Sequence, residues 1–295
     1  MRAALIFGVL AALLGGCSGT QLLNAVTPDG DSRLAENLVY DARTGLDLDI
    51  YSPPRAKNAP VVVFFYGGRW TEGSKNQYSF VGQALASRGL VAVLPQYRHY
   101  PAVKFPAFVE DAAAAVQWTH ENVARYGGDS RKIFVMGHSS GAHLAAMLAL
   151  NPEYLKAAGG DRRWLRGMIG LAGPYDFRPI TAPDLRDMFG PPERFELAQP
   201  VTYVDGDNPP LLLLHGEDDE SVWVRNTRKL TAAVKKAGGP VETVIYPEMS
   251  HAWIVATLAS PLRGRSDVLD QVAAFVGRTL ADKPKSTAVQ TRPAN

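Results

Sequence analysis

One cysteine, Cys17, stands alone in 295 residues, so no intramolecular disulfide can form and no cysteine-rich metal site can be built. Charge of one sign is also lacking: 31 Lys and Arg against 29 Asp and Glu leave a net charge of +2, with the signs interspersed. No dense basic block with interleaved aromatics occurs, which removes the electrostatic footprint expected of nucleic-acid binding. The apolar stretch Ala3 to Leu14 has the length of a secretory signal core and is too short to span a bilayer. No internal repeat is present. With 46% apolar residues, the chain can bury one large α/β domain or two small ones once its N-terminus is set aside.

Met1-Arg2 places a positive charge ahead of the apolar stretch, and the chain then reads Leu14-Gly15-Gly16-Cys17-Ser18. This resembles the lipobox of bacterial lipoproteins. The resemblance implies a signal peptide over residues 1–16, lipidation of Cys17 and a lipid-anchored protein of the bacterial cell envelope, on the periplasmic face or the outer membrane. Each buried methylene contributes about 0.8 kcal/mol, so two or more acyl chains hold a protein stably on a membrane. Residues 17–31 then read as lipidated cysteine and polar tether, and residues 281–295 as a disordered polar tail.

Between these ends, apolar runs bounded by turn residues predict strands over 47–51, 61–65, 90–94, 132–136, 167–172, 211–214 and 241–246. Helical patterns lie between them, most clearly over 78–88, 105–126, 225–237 and 267–280. Such alternation predicts an α/β domain over 32–280, with a mostly parallel central sheet flanked by helices on both faces. Residues 173–210 break the rhythm; long, Pro-rich and aromatic, they read as a lid-like insertion.

The most informative run is Gly137-His138-Ser139-Ser140-Gly141, between the strand-like Lys132-Ile133-Phe134-Val135-Met136 and an Ala/Leu-rich helical stretch. Strand, Gly-x-Ser-x-Gly turn and helix in that order form a nucleophile elbow, with the serine on a strained turn at the strand's end. The Ser140 N–H, at the start of a helix, is then aimed where an oxyanion would form. A serine hydroxyl needs a base, and the base an orienting acid, expected downstream in the order Ser, Asp or Glu, His. His251, in the loop after strand 241–246, has that order and position. The acid comes from the loop Glu217-Asp218-Asp219-Glu220, where four carboxylates compete and Glu217 and Glu220 suit a solvated turn. His215, at the end of the preceding strand, reads as structural. The second oxyanion donor is expected after the third strand, from Gly67 and Gly68 in Tyr66-Gly67-Gly68-Arg69-Trp70.

Together these residues resemble the α/β-hydrolase superfamily, within its hormone-sensitive-lipase-like carboxylesterases, over roughly Leu38 to Leu280. The run Tyr66 to Lys75 looks like that group's His-Gly-Gly-Gly-Trp loop. Tyr97-Arg98, Phe105-Pro106-Ala107 with Asp111, and Tyr126-Gly127-Gly128-Asp129 also match its spacing. The feruloyl-esterase-like and isoprenylcysteine-methylesterase-like branch shares Gly-x-Ser-Ala/Ser-Gly-Ala-His. By this resemblance His-Gly-x-x-Asp-x-x-Val selects Asp219 over Asp218. It implies a serine carboxylesterase that hydrolyses small to medium esters through an acyl-enzyme, with no cofactor or metal and a small-molecule ester as its partner. Aryl-formamidase or peptidase activity on the same fold, or a non-catalytic surface lipoprotein, are the competing readings. Tyr66 stands where the group has His and Arg69 where it has a third glycine, which bears on specificity. Trp70, Tyr175, Phe177, Trp223 and Trp253 are candidate pocket residues.

Overall fold

A computed structural model describes residues 17–27 and 30–282. The signal peptide and most of the C-terminal tail expected above lie outside these residues. Eight strands form one sheet in the order β1-β2-β4-β3-β5-β6-β7-β8. In chain order the strands are β1 (Arg33–Asp41), β2 (Leu46–Ser52), β3 (Ala59–Phe65), β4 (Val91–Pro95), β5 (Gly128–His138), β6 (Leu165–Leu171), β7 (Leu211–Gly216) and β8 (Val241–Tyr246). β2 runs antiparallel to both its neighbours, β1 and β4, whereas β4, β3 and β5 to β8 are parallel to one another. This is the α/β-hydrolase fold.

The central strands are the ones with unbroken apolar sequence. Val61 to Phe65 and Ile133 to Met136 are fully buried because helices cover both faces of the sheet, leaving no solvent side to favour polar residues. The flanking helices are α1 (Cys17–Val26), α2 (Ser79–Ala86), α3 (Ala107–Asn122), α4 (Ser140–Leu150), α5 (Pro152–Ala157), α6 (Pro183–Phe189), α7 (Arg225–Lys236), α8 (His251–Ala256) and α9 (Val268–Ala281). Every residue of α4 is buried. Its Ala-rich sequence lets a helix lie that deep without displacing its neighbours.

Several elements differ from the expectations above, among them α8, which opens on His251 where a loop was expected. The edge strand β1 lacks a continuous apolar run and is largely exposed, so periodicity does not reveal it. Residues 17–26, expected to be part of a tether, form α1. Leu23 is buried against the core, and Leu22 packs beside it. The Asn24 amide donates to the Asn76 carbonyl at 2.7 Å and accepts from the Phe80 N–H at 3.1 Å. The polar composition of this short segment hides a single apolar face. Two hydrogen bonds to the α2 entry pin that face down.

Candidate active site

The parallel strands bring their C-terminal ends to one edge, where ligands bind in open α/β sheets. Four loops converge there: Tyr66–Trp70 after β3, the elbow after β5, 217–224 after β7 and 247–250 after β8. At the elbow Ser139 has φ 55° and ψ −124°. Such a conformation costs about 1–3 kcal/mol in a non-glycine residue and is held by the packing around it. The turn closes because Gly141 passes against β3: a Cβ there would lie 2.0 Å from the Phe65 carbonyl oxygen. Ser139 N–H donates to the Leu171 carbonyl at 2.9 Å, tying the elbow to β6.

Ser139 Oγ lies 2.8 Å from His251 Nε2, and His251 Nδ1 lies 2.7 Å from Asp219 Oδ2. Asp219 is thus the acid partner among the four carboxylates. Glu217 instead pairs with Arg228 at 2.7 Å in solvent. Asp219 is buried, and its other oxygen accepts the backbone N–H groups of Ser221 and Val222 at 2.9 and 2.8 Å. His215 Nε2 approaches Oδ2 at 3.1 Å while donating to the Val222 carbonyl at 2.7 Å. Its Nδ1 meets the Thr227 hydroxyl at 2.7 Å. Burial opposes ionisation of Asp219, but the hydrogen bonds from His215 and His251 prevail and hold its carboxyl well below the usual carboxylate range.

The loop after β3 turns through three consecutive residues of positive φ: Gly68 at 147°, Arg69 at 54° and Trp70 at 61°. A Cβ on Gly68 would lie 2.0 Å from the Glu72 carbonyl oxygen, so only glycine fits. Gly67 packs against His138 and Ser139. The Ser140 N–H, first in α4, belongs to the first turn of N–H groups that have no intrahelical partner. Gly67, Gly68 and Ser140 thus surround Ser139. Tyr66 is fully buried beneath the loop, stacked on Tyr97 with centroids 4.5 Å apart, and its hydroxyl meets His99 Nε2 at 3.1 Å. It replaces the expected histidine as packing. The Arg69 guanidinium forms a two-pronged ion pair with Asp184 on α6, which offsets its charge beside the cavity.

A cavity of about 620 Å³ opens on Ser139 and His251. Trp70, Phe177 and Trp223 line it; Tyr175 and Trp253 do not, and Tyr175 is instead packed fully inside. The insertion over 173–210 contributes Pro174, Phe177 and Leu185 to the wall. Gly19, Thr20 and Leu23 of α1 form another part of it, a contribution the tether reading could not anticipate. Among the described residues no group of three or more His, Cys, Asp or Glu is placed to hold a metal ion. Among them, too, no helix is long and apolar enough to cross a membrane.

Two further histidines flank Ser139 on its own strand and helix. His138 is buried at the cavity wall, its ring 4.8 Å from that of His251, and its Nε2–H donates to the His251 carbonyl at 2.9 Å. His143, one turn into α4, is fully buried. Burial lowers the pKa of His138 to about 3 and of His143 to about 4, with neighbouring His251 adding to the effect at His138. Both folded values lie below the ordinary 6.5, so the unfolded chain takes up these protons first and stability is lost as pH falls from neutrality. At pH 5 the loss amounts to about 2 kcal/mol for each histidine. Urea unfolding is therefore expected to show a clearly lower midpoint at pH 5 than at pH 7. The two ring resonances should not titrate in that interval in an NMR titration of the folded protein.

Comparison with known proteins finds esterases among those this chain resembles. The BD-FAE family model matches residues 48–234. Esterase LipQ of Mycobacterium tuberculosis is 30% identical over 270 residues, which cover 84% of this chain and 64% of LipQ. The isoprenylcysteine alpha-carbonyl methylesterase ICME of Arabidopsis thaliana is 28% identical over 259 residues, covering 80% of this chain and 60% of ICME. The chain thus spans less than two thirds of either relative. Among solved structures, an esterase of Pyrobaculum calidifontis superposes with a TM-score of 0.76 at 23% identity, covering 93% of this chain and 94% of its own. Apo esterase 2 of Thermogutta terrifontis gives 0.70 at 25% identity, with 88% and 98% covered.

Proposed function

The chain belongs to the BD-FAE family, and from that premise we propose that it is a serine carboxylesterase acting on small to medium carboxylic esters. The observation that carries this reading is the unbroken chain from Ser139 Oγ through His251 to Asp219, at 2.8 and 2.7 Å. Ser139 attacks the ester carbonyl while His251 Nε2 takes its proton. Asp219 accepts the His251 Nδ1–H, which fixes the tautomer whose Nε2 lone pair faces the serine. The tetrahedral oxyanion sits between the Ser140 N–H and an N–H of the Gly67–Gly68 turn. Such donors are worth about 3–4 kcal/mol each in a transition state. His251 then protonates the departing alkoxide, and water, deprotonated by the same imidazole, releases the acid from Ser139. Esterase LipQ and ICME support an ester substrate, and esterase 2 of Thermogutta terrifontis has a form phosphoramylated by tabun. The cavity of about 620 Å³ falls within the range of small-molecule sites.

The test is hydrolysis of p-nitrophenyl esters from acetyl to dodecanoyl by the chain from Ser18 onward. Turnover that peaks at a short or medium acyl chain is the expected result. A folded chain that cleaves none of them, yet cleaves aryl formamides or peptides, overturns the ester reading.

The lipobox resemblance of Leu14 to Cys17 supports lipid anchorage at Cys17 in a bacterial envelope, with Cys17 opening helix α1. Expression of the full chain with Cys17→Ala should then shift the protein from the membrane fraction to the soluble fraction. Equal partitioning of both forms would contradict the anchor.

A further inference from the structure

We propose that His143 is a positioning residue for the oxyanion hole, holding the turn after β3 in register with the nucleophile helix through the Trp70 indole; this rests on the carboxylesterase reading above. The two expected donor groups lie on different elements. Ser140 N–H opens α4, whereas Gly67 and Gly68 sit on the turn after β3. Donors must lie about 2.7–3.1 Å from the developing oxyanion, so the two elements must keep their spacing closely. The turn carries backbone strain, since Arg69 and Trp70 hold positive φ after Gly68, so contacts at its far end help to hold its shape.

Trp70 anchors the far end of that turn. Its indole is buried between Phe108, Phe177, Phe189 and His143, with ring centroids 5.0 to 6.4 Å away. The indole has one polar atom, Nε1–H, which can only donate, and it donates to His143 Nδ1 at 3.3 Å. His143 in turn donates from Nε2 to the Ala198 carbonyl at 2.8 Å, within the insertion. Both ring nitrogens are therefore committed and the tautomer is fixed. A protonated ring could not accept from Trp70, and burial keeps this imidazole neutral at working pH. His143 stands four residues after Ser139, on the same helix as Ser140. A polar link of two bonds thus joins the strained turn, the nucleophile helix and the insertion.

If these groups merely satisfied one another inside the core, their loss would lower stability and spare kcat. Two substitutions separate the possibilities. His143→Asn places an amide oxygen near the Nδ1 position and keeps an acceptor for Trp70, but loses the donor to Ala198. His143→Gln places an amide nitrogen near Nε2, keeping that donor and losing the acceptor. Trp70→Phe removes the indole N–H while preserving most of the ring's packing. The expected result is a fall in kcat of about tenfold to a hundredfold in His143→Gln and in Trp70→Phe, with KM nearly unchanged. His143→Asn should stay within about threefold of the wild type, and the Trp70→Phe/His143→Gln pair should fall no further than the worse single variant.

Labelling by a fluorophosphonate reads the same hole without a carboxylic ester. Ser139 Oγ forms the O–P bond, fluoride leaves with the P–F electrons, and the serine proton passes to His251. Labelling rates should follow the same order as kcat. Wild-type protein that labels readily but cleaves no ester overturns the ester reading alone. Equal kcat and equal labelling in His143→Asn and His143→Gln, or additive losses in the double variant, overturn the role of His143. Should His143→Gln fail to fold, a Trp70→Phe variant with wild-type kcat and labelling rate overturns it as well.

Discussion

Replacing Ser139 by alanine is expected to lower kcat on any cleaved ester by about 10⁵- to 10⁶-fold, the loss seen when the nucleophile of a triad is removed. The fold should be unharmed. Alanine is smaller than serine, and the backbone bonds that set the turn, Ser139 N–H to the Leu171 carbonyl and the Ala142 N–H to the Ser139 carbonyl, do not involve the hydroxyl. Alanine also inherits a φ of 55°, so the turn keeps its strain. Ester cleavage measured at high enzyme concentration, beside a thermal melt, separates loss of chemistry from loss of fold. Adding His251→Ala to Ser139→Ala should cost almost nothing more, because the two groups act as one device. A residual rate in Ser139→Ala near that of the wild type would mean that another group performs the attack.

The second large effect is expected from Asp219→Asn, at about 10⁴-fold in kcat. The environment decides which way the new amide points. Asp219 Oδ1 accepts two backbone N–H groups, from Ser221 and Val222, so an NH₂ placed there would face two donors. The amide nitrogen is forced to the Oδ2 position, opposite His251 Nδ1 and near the His215 Nε2–H. It then donates to Nδ1, and His251 carries its proton on Nε2, facing Ser139. That tautomer cannot accept the serine proton. The loss should appear in kcat with KM little changed, and it should be relieved in part at high pH, where hydroxide can deprotonate the serine. An Asp219→Asn variant retaining a tenth or more of wild-type kcat would show that the carboxylate is not needed to orient His251.

Much of this was legible in the sequence because the chemistry is tied to strand ends. Runs such as Val61 to Phe65 and Leu211 to Leu214 announce strands buried on both faces, and the turns that follow them carry Gly67–Gly68 and Asp219. Gly-x-Ser-x-Gly was readable because the fold leaves no choice at Gly141, whose Cβ would strike β3. Long-range contacts were not readable. Nothing local to Cys17–Val26 says that Leu23 meets the core or that Asn24 bonds to Asn76, since those partners lie some 50 residues on. The same holds for Arg69. Its charge beside the cavity could be foreseen, but its Asp184 partner, 115 residues away, could not. The aromatic candidates divided for a similar reason: Tyr175 and Trp223 look alike in sequence, and only packing buries one and leaves the other at the cavity rim. His138 and His143 carried a signal in hindsight. Each is one step or one helical turn from Ser139, which puts His138 on the cavity wall and His143 in the core against Trp70.

In the proposed mechanism Ser139 carries the acyl group between two half-reactions. The most direct measurement mixes the protein with p-nitrophenyl butyrate, quenches in acid within the first turnovers and maps the peptides by mass. A butyryl adduct confined to the peptide bearing Ser139, formed with a stoichiometric burst of p-nitrophenol, is the predicted result. Ester turnover with the adduct on a different residue, or an equal burst from Ser139→Ala, would contradict it.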